Sequence, residues 1–175
     1  MVESNPEVVP APEEVIEKEN PATHLKILEL LKKHEIEFKV TEHAPVKTSQ
    51  EAADIRGVPL CSGAKAMLIA DCGKKLARAG VVWYLAVVAA DRRLNSKMIK
   101  KLIGTKNTKF ASSEDVLRVT GCIPGAVPPF GSLFNADGDQ ETVPTYVDES
   151  LAANEYINFN CGLRTHSLSM KFVDY

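Results

Sequence analysis

A chain of 175 residues with 45% hydrophobic side chains can bury a core as a single domain, which excludes a disordered polypeptide. The longest apolar run, residues 80–90, falls short of the ~18 residues of a membrane span, and no basic-then-apolar leader opens the chain, so the expected location is the cytoplasm, with neither membrane nor DNA as partner. The formal charge of −2 is unevenly spread: the first twenty residues carry −5 and the remainder +3.

Residues 1–20 are rich in Glu, Pro and Val and read as an acidic flexible tail ahead of one domain over 21–175. Asn20-Pro21 is a helix start, with Asn as cap and Pro in the first turn, and Leu25, Ile27, Leu28 and Leu31 carry an amphipathic helix to about His34. Ile36, Phe38 and Val40 alternate as in a half-buried strand. Thr48 with Glu51 forms a capping-box pattern for a short helix that stops near Gly57. Strands are expected over 65–70 and 81–90, the second apolar throughout and so covered on both faces, with Asp71 to Arg78 turning between them.

Asn95 or Ser96 caps the next helix, in which Met98, Ile99, Leu102 and Ile103 are expected inward and Lys97, Lys100 and Lys101 outward, with Gly104 as the stop. A strand over 106–111 and a helix opened by Ser112 and Asp115 and closed at Gly121 follow. Further strands are expected around 132–135, 142–147, 156–160 and 167–172. Hairpin-like strands with scattered short helices predict an α+β or mixed-barrel domain rather than a doubly wound sheet. No GxGxxG or GxxxxGK pattern signals a nucleotide cofactor.

Cysteines 61, 72, 122 and 161 form no CxxC pair and the four histidines show no ligand spacing, so no metal is expected. Between 92 and 109 seven bases occur with no acid. Arg92, Arg93, Lys97, Lys100 and Lys101 in that stretch suit a phosphate backbone, although solvated lysines also make such runs. The segment Thr120 to Gly131 holds three glycines and three prolines, so it continues neither a helix nor a central strand. It keeps Cys, Ile, Ala, Val and Phe, however, as a stiff loop packed on the core would. Such a loop can grip a ligand through main-chain groups, or simply brace a connection. Cys122 within it would need a base and a depressed pKa to act as a nucleophile.

Thr48-Ser49-Gln50-Glu51-Ala52-Ala53, Gly63-Ala64-Lys65-Ala66-Met67, the 121–131 loop, Val147-Asp148-Glu149-Ser150-Leu151 and Asn158-Phe159-Asn160-Cys161-Gly162 occur in family order. Over about 22–175 the chain thereby resembles the YbaK/prolyl-tRNA synthetase-associated domain family of aminoacyl-tRNA deacylases. The resemblance implies a mixed, barrel-like sheet around a central helix, with peripheral short helices, in a free-standing editing protein. It also implies hydrolysis of a mischarged aminoacyl-tRNA, such as one built on the tRNA for proline, with no cofactor. Lys65 matches the family lysine near the terminal adenosine. Residues 125–129 match its GxxxP loop, which makes Gly125 the catalytic backbone donor beside Lys65. Gly121, Pro124, Ala126, Val127, Pro129 and His166 are then the expected acyl-site residues, and the acidic tail a contact for a synthetase or its assembly. The rival reading is a catalytically silent tRNA-binding or scaffold subunit in such an assembly.

Overall fold

The computed structural model describes residues 19–46, 48–72, 81–135 and 142–175. Helix α1 (Ala22–Lys33) begins where the Asn20 side chain accepts the Ala22 N–H at 2.9 Å, with Pro21 at the cap position. Ile27 and Leu31, one turn apart, are fully buried, whereas Leu25 lies on the solvent side. Strand β1 (Phe38–Glu42) follows, and then α2 (Ser49–Arg56), opened by the complete Thr48/Glu51 capping box and closed by Gly57 in the left-handed conformation.

Strands β2 (Ala64–Asp71) and β3 (Val82–Ala89) form an eight-pair antiparallel ladder from Ala64 opposite Ala89 to Asp71 opposite Val82. Leu85 to Ala89 are buried without a break, as expected for a strand covered on both faces. Most of the expected turn between these strands lies outside the described residues, as does nearly all of the acidic tail.

Helix α3 (Ser96–Ile103) starts at Asn95, whose side chain accepts the N–H groups of Lys97 and Met98, and stops at Gly104. Ile99 is buried and Ile103 partly so against Ile69 and Ala86. Met98 and Leu102, expected inward, are instead 60% and 58% exposed. The covered stripe is one residue per turn wide, and positions 98 and 102 fall about 100° away from it. Strand β4 (Thr108–Phe110) pairs with β2, shorter than the six residues expected.

Helix α4 (Ser113–Thr120) has Ser112 as its cap and Gly121 as its stop, and it sends Val116 and Val119 into the main core. The strand expected around 132–135 is absent. Residues Gly131–Leu133 form a 3-10 turn, because the Gly131 carbonyl accepts both Phe134 N–H (3.1 Å) and Val143 N–H (3.2 Å). Strand β5 is confined to Thr145–Val147, and β6 (Tyr156–Asn160) and β7 (His166–Lys171) form a second hairpin. Asp148 caps the 3-10 turn Glu149–Ala153, accepting the Ser150 N–H at 2.9 Å.

One sheet runs β1-β7-β6 and the other β4-β2-β3-β5, all antiparallel except the β3–β5 pair. The expected α+β class with mixed strand pairing is observed. Among the described residues the two sheets meet at a single bridge between Gly63 and Asn158, supported by a 3.0 Å bond from Asn158 Nδ2 to Ser62 Oγ. Across that junction lies the core, filled by Trp83, Leu85, Phe159, Leu168 and Met170 and closed by Cys122, Ile123, Ala126 and Val127 of the glycine–proline loop.

Candidate active site

Where the two sheets meet, a cavity of about 360 Å³ opens between α2, the start of β2, the 124–127 loop and the end of β6. Small side chains make room for it: Ala52 and Ala53 come from α2, Ala64 and Ala66 from β2. Gly63 keeps the wall close to the next strand, since a Cβ there would stand 2.9 Å from the Ala90 Cβ. Among the described residues that line it, none is Asp, Glu, His or Cys; the charged ones are Lys65 and Arg56.

Lys65, Pro124, Gly125 and Val127, singled out from the sequence, share this cavity. Lys65 is half-buried at its edge, and its Nζ donates to the Arg92 carbonyl at 3.1 Å. That bond sets the Arg92 backbone beside Lys65, while none of the five bases singled out from the sequence is among the described lining residues. Arg92, Arg93, Lys97 and Lys101 are exposed and Lys100 is half-buried.

Gly125 has φ 89°, outside what an L side chain adopts comfortably, and its carbonyl accepts Asn160 Nδ2 at 2.7 Å. The next peptide is pinned as well: Ala126 N–H reaches the Ile123 carbonyl at 3.0 Å, and Ala126 O accepts Gly162 N–H at 2.9 Å. Among the described residues no protein acceptor meets the N–H of Gly125 or Val127. Two main-chain donors therefore remain unused at the cavity.

The other expected residues lie outside the lining. Gly121 is the left-handed stop of α4, and the Ala126 methyl is fully buried in the core. Pro129 borders a separate, more open cavity of about 510 Å³, and its carbonyl accepts the Tyr175 hydroxyl at 2.6 Å. The His166 ring packs edge-on to His24 at 4.9 Å, with Nδ1 2.8 Å from Thr165 Oγ1. Burial pushes the Cys122 thiol up and the Cys161 thiol up to about 12, so both remain protonated.

A group not predicted from the sequence completes the wall. Arg56 Nε donates to Ser167 Oγ at 2.6 Å and Nη2 to Asn160 Oδ1 at 2.5 Å. Burial lowers its pKa to about 10, which leaves it charged at neutral pH. His43 stands behind: Nδ1 lies 2.8 Å from the Ala44 carbonyl, so it carries the proton, and Nε2 accepts the Ser167 hydroxyl at 2.5 Å. Arg56 and Asn160 are 104 positions apart; an arginine ending a short helix is also the ordinary complement to a helix dipole.

The family model of the aminoacyl-tRNA editing domain matches residues 43–175. The multifunctional Ser/Thr-tRNA deacylase ProXp-y of Escherichia coli (strain K12) is 30% identical over 154 residues, 87% of this chain and 86% of that protein. A proline--tRNA ligase of Nitrosomonas eutropha is 24% identical over 129 residues, 74% of this chain but 19% of the ligase. A crystal structure described as a candidate trans-editing enzyme for prolyl tRNA synthetase superposes with a TM-score of 0.68 at 24% identity, covering 87% of this chain and 88% of that one.

Proposed function

The chain belongs to the aminoacyl-tRNA editing domain family, and on that premise we propose that it is an aminoacyl-tRNA deacylase that removes a small amino acid from mischarged tRNA. The observation that carries the reading is one cavity holding Lys65 and the unused N–H groups of Gly125 and Val127, with no acidic, imidazole or thiol side chain among its described lining residues.

An aminoacyl ester is already activated, so placement and charge stabilisation suffice for hydrolysis. Water oxygen adds to the ester carbonyl, and the oxygen that becomes negative is received by the Gly125 and Val127 N–H groups. One such donor is worth about 2.7–4 kcal/mol in the transition state. The tetrahedral centre then collapses, the ester C–O bond breaks, and the ribose oxygen leaves as a hydroxyl. The described cavity wall offers no base near neutrality, so the neighbouring hydroxyl of the terminal ribose relays the proton: it takes one from the attacking water as it gives its own to the departing ribose oxygen. Lys65, at the edge and next to the exposed Arg92, holds the nucleotide end, and the cations of α3 follow the acceptor stem.

Thr48 and Ser49 hydroxyls beside small apolar side chains suit a short hydroxylated side chain. The named activity of the Escherichia coli relative on Ser- and Thr-tRNA points the same way. The kinship with proline--tRNA ligases favours the tRNA for proline as carrier. The test is deacylation of seryl, threonyl, alanyl and cysteinyl esters on that tRNA and on others, by wild type and Lys65→Ala. Serine and threonine esters on the proline tRNA should be released fastest, with a loss of about tenfold or more in the variant. Equal rates in wild type and variant would remove Lys65 from the mechanism, and no release of any ester would overturn the deacylase reading.

A further inference from the structure

We propose that Arg56 and Asn160 form a positioning relay that fixes the Gly125 carbonyl and so aims the unused N–H groups of the loop into the cavity. The inference rests on the reading of that loop as the acyl-binding element and adds the device that holds it in place.

The geometry runs in one direction only. Arginine can only donate, so the Asn160 atom 2.5 Å from Arg56 Nη2 is its oxygen; a carbonyl can only accept, so the atom 2.7 Å from Gly125 O is its nitrogen. The Asn160 amide thus has a single orientation, set by both ends. The adjoining faces of Arg56, Nε and Nη2, grip Ser167 Oγ and Asn160 Oδ1, two oxygens 3.4 Å apart. They occupy the places of the two oxygens of a carboxylate in a forked ion pair. Among the described residues Arg56 has no carboxylate partner. His43, accepting the Ser167 hydroxyl, fixes the far side of the fork.

The effect falls on one peptide plane. The carbonyl of Gly125 and the N–H of Ala126 belong to the same rigid unit. Asn160 holds the first and the Ile123 carbonyl holds the second. With both poles tied, that plane cannot rotate; the Val127 N–H lies in the next plane, whose Ala126 carbonyl is held by the Gly162 N–H, and the Gly125 N–H lies in the preceding plane, which hinges on the fixed one.

A purely structural role would have Arg56 stitch α2 to β6 and β7 and nothing more. Asn160→Asp separates the two. The carboxylate keeps and strengthens the pairing with Arg56, while it has no proton to give Gly125 O and repels that carbonyl. In the full-length protein the relay predicts an unchanged or higher melting temperature with kcat lowered by roughly tenfold to a hundredfold and KM within about twofold, the size expected of a small misplacement of reacting groups. A folded Asn160→Asp protein with wild-type kcat overturns the relay. Arg56→Lys is the second variant: one ammonium cannot hold both oxygens in a fixed plane. It should lower kcat and speed amide exchange at Ala126, and a folded variant with neither change overturns the relay equally. A wild type that hydrolyses no ester on the panel defeats the deacylase reading and this inference together. An active wild type with an indifferent Asn160→Asp defeats the relay alone.

Discussion

Gly125 and Gly131 sit in the same glycine–proline loop under opposite constraints. A Cβ on Gly131 would overlap the Val143 carbonyl oxygen and the Thr145 hydroxyl, and both of those residues are themselves hydrogen-bonded to Gly131. Gly131→Ala should therefore lose about 4 kcal/mol or more, or fail to fold, in urea titration. Gly125→Ala meets nothing within 4 Å but suffers at φ 89°; it should cost about 1–2 kcal/mol while lowering kcat as the loop relaxes. The titrating groups also separate folding from catalysis. Bonds from Arg118 and Ser112 hold the Asp115 carboxyl below the usual carboxylate range. Its contribution is thus present above that range and is lost as pH falls through the depressed value. Asp115→Asn should flatten the acid limb of stability below about pH 4, by less than about 1 kcal/mol for so exposed a pair. Catalysis should show no such limb. With Lys65 and Arg56 the charged groups of the described cavity lining, kcat should rise with pH from about 6 to 8 without an inflection, and a midpoint near the ~6.5 of an ordinary imidazole would bring a histidine into the mechanism.

At the level of elements, the site depends on where short helices start and stop. Ser112 caps α4, accepting Asp115 N–H at 3.1 Å, and α4 delivers the chain into the glycine–proline loop. Ser112→Ala should cost about 1 kcal/mol and lower the melting temperature by about 2–4 °C while leaving kcat unchanged, since the loop is tied independently at Asn160 and Gly162. These caps are legible in the sequence because their chemistry is local: Thr48 with Glu51, Asn95, Ser112, and the glycines after each of the three helices. So are Lys65 and the loop, through the residue pattern they share with a family. Met98 and Leu102 show the limit of such reading, for a 3.6-residue period marks an apolar face without telling whether anything covers it. The strand expected at 132–135 is missing for a related reason. Ser132, Leu133 and Phe134 have strand-compatible side chains, but the Gly131 carbonyl, taken twice, curls them into a turn. Arg56 and Asn160 are illegible because their meaning lies in an interaction across more than a hundred positions.

The molecule as a whole carries a basic stretch, mostly exposed and joined to Lys65 through the Arg92 carbonyl, on a chain of net charge −2. Binding of tRNA should therefore weaken steeply with salt, and the combined Lys97→Ala and Lys101→Ala variant should lower the log–log slope by about 0.7–0.9 for each phosphate left unneutralised. Hydrolysis of a short aminoacylated fragment lacking the stem should be indifferent to both changes. Among the described residues no helix is long and apolar enough to cross a membrane.

The single bridge from Gly63 to Asn158 has a further consequence. Each sheet is knit by its own ladders, whereas among the described residues one rung and one amide–hydroxyl bond join them beside the apolar core they share, and that line borders the candidate cavity. A fluctuation that parts this line by a fraction of an ångström enlarges the chamber without breaking either ladder, and selectivity by size becomes a matter of how seldom the line parts. Filling the small positions along it with larger side chains would then narrow the range of esters accepted while raising the protection of the Gly63 and Asn158 amides against exchange.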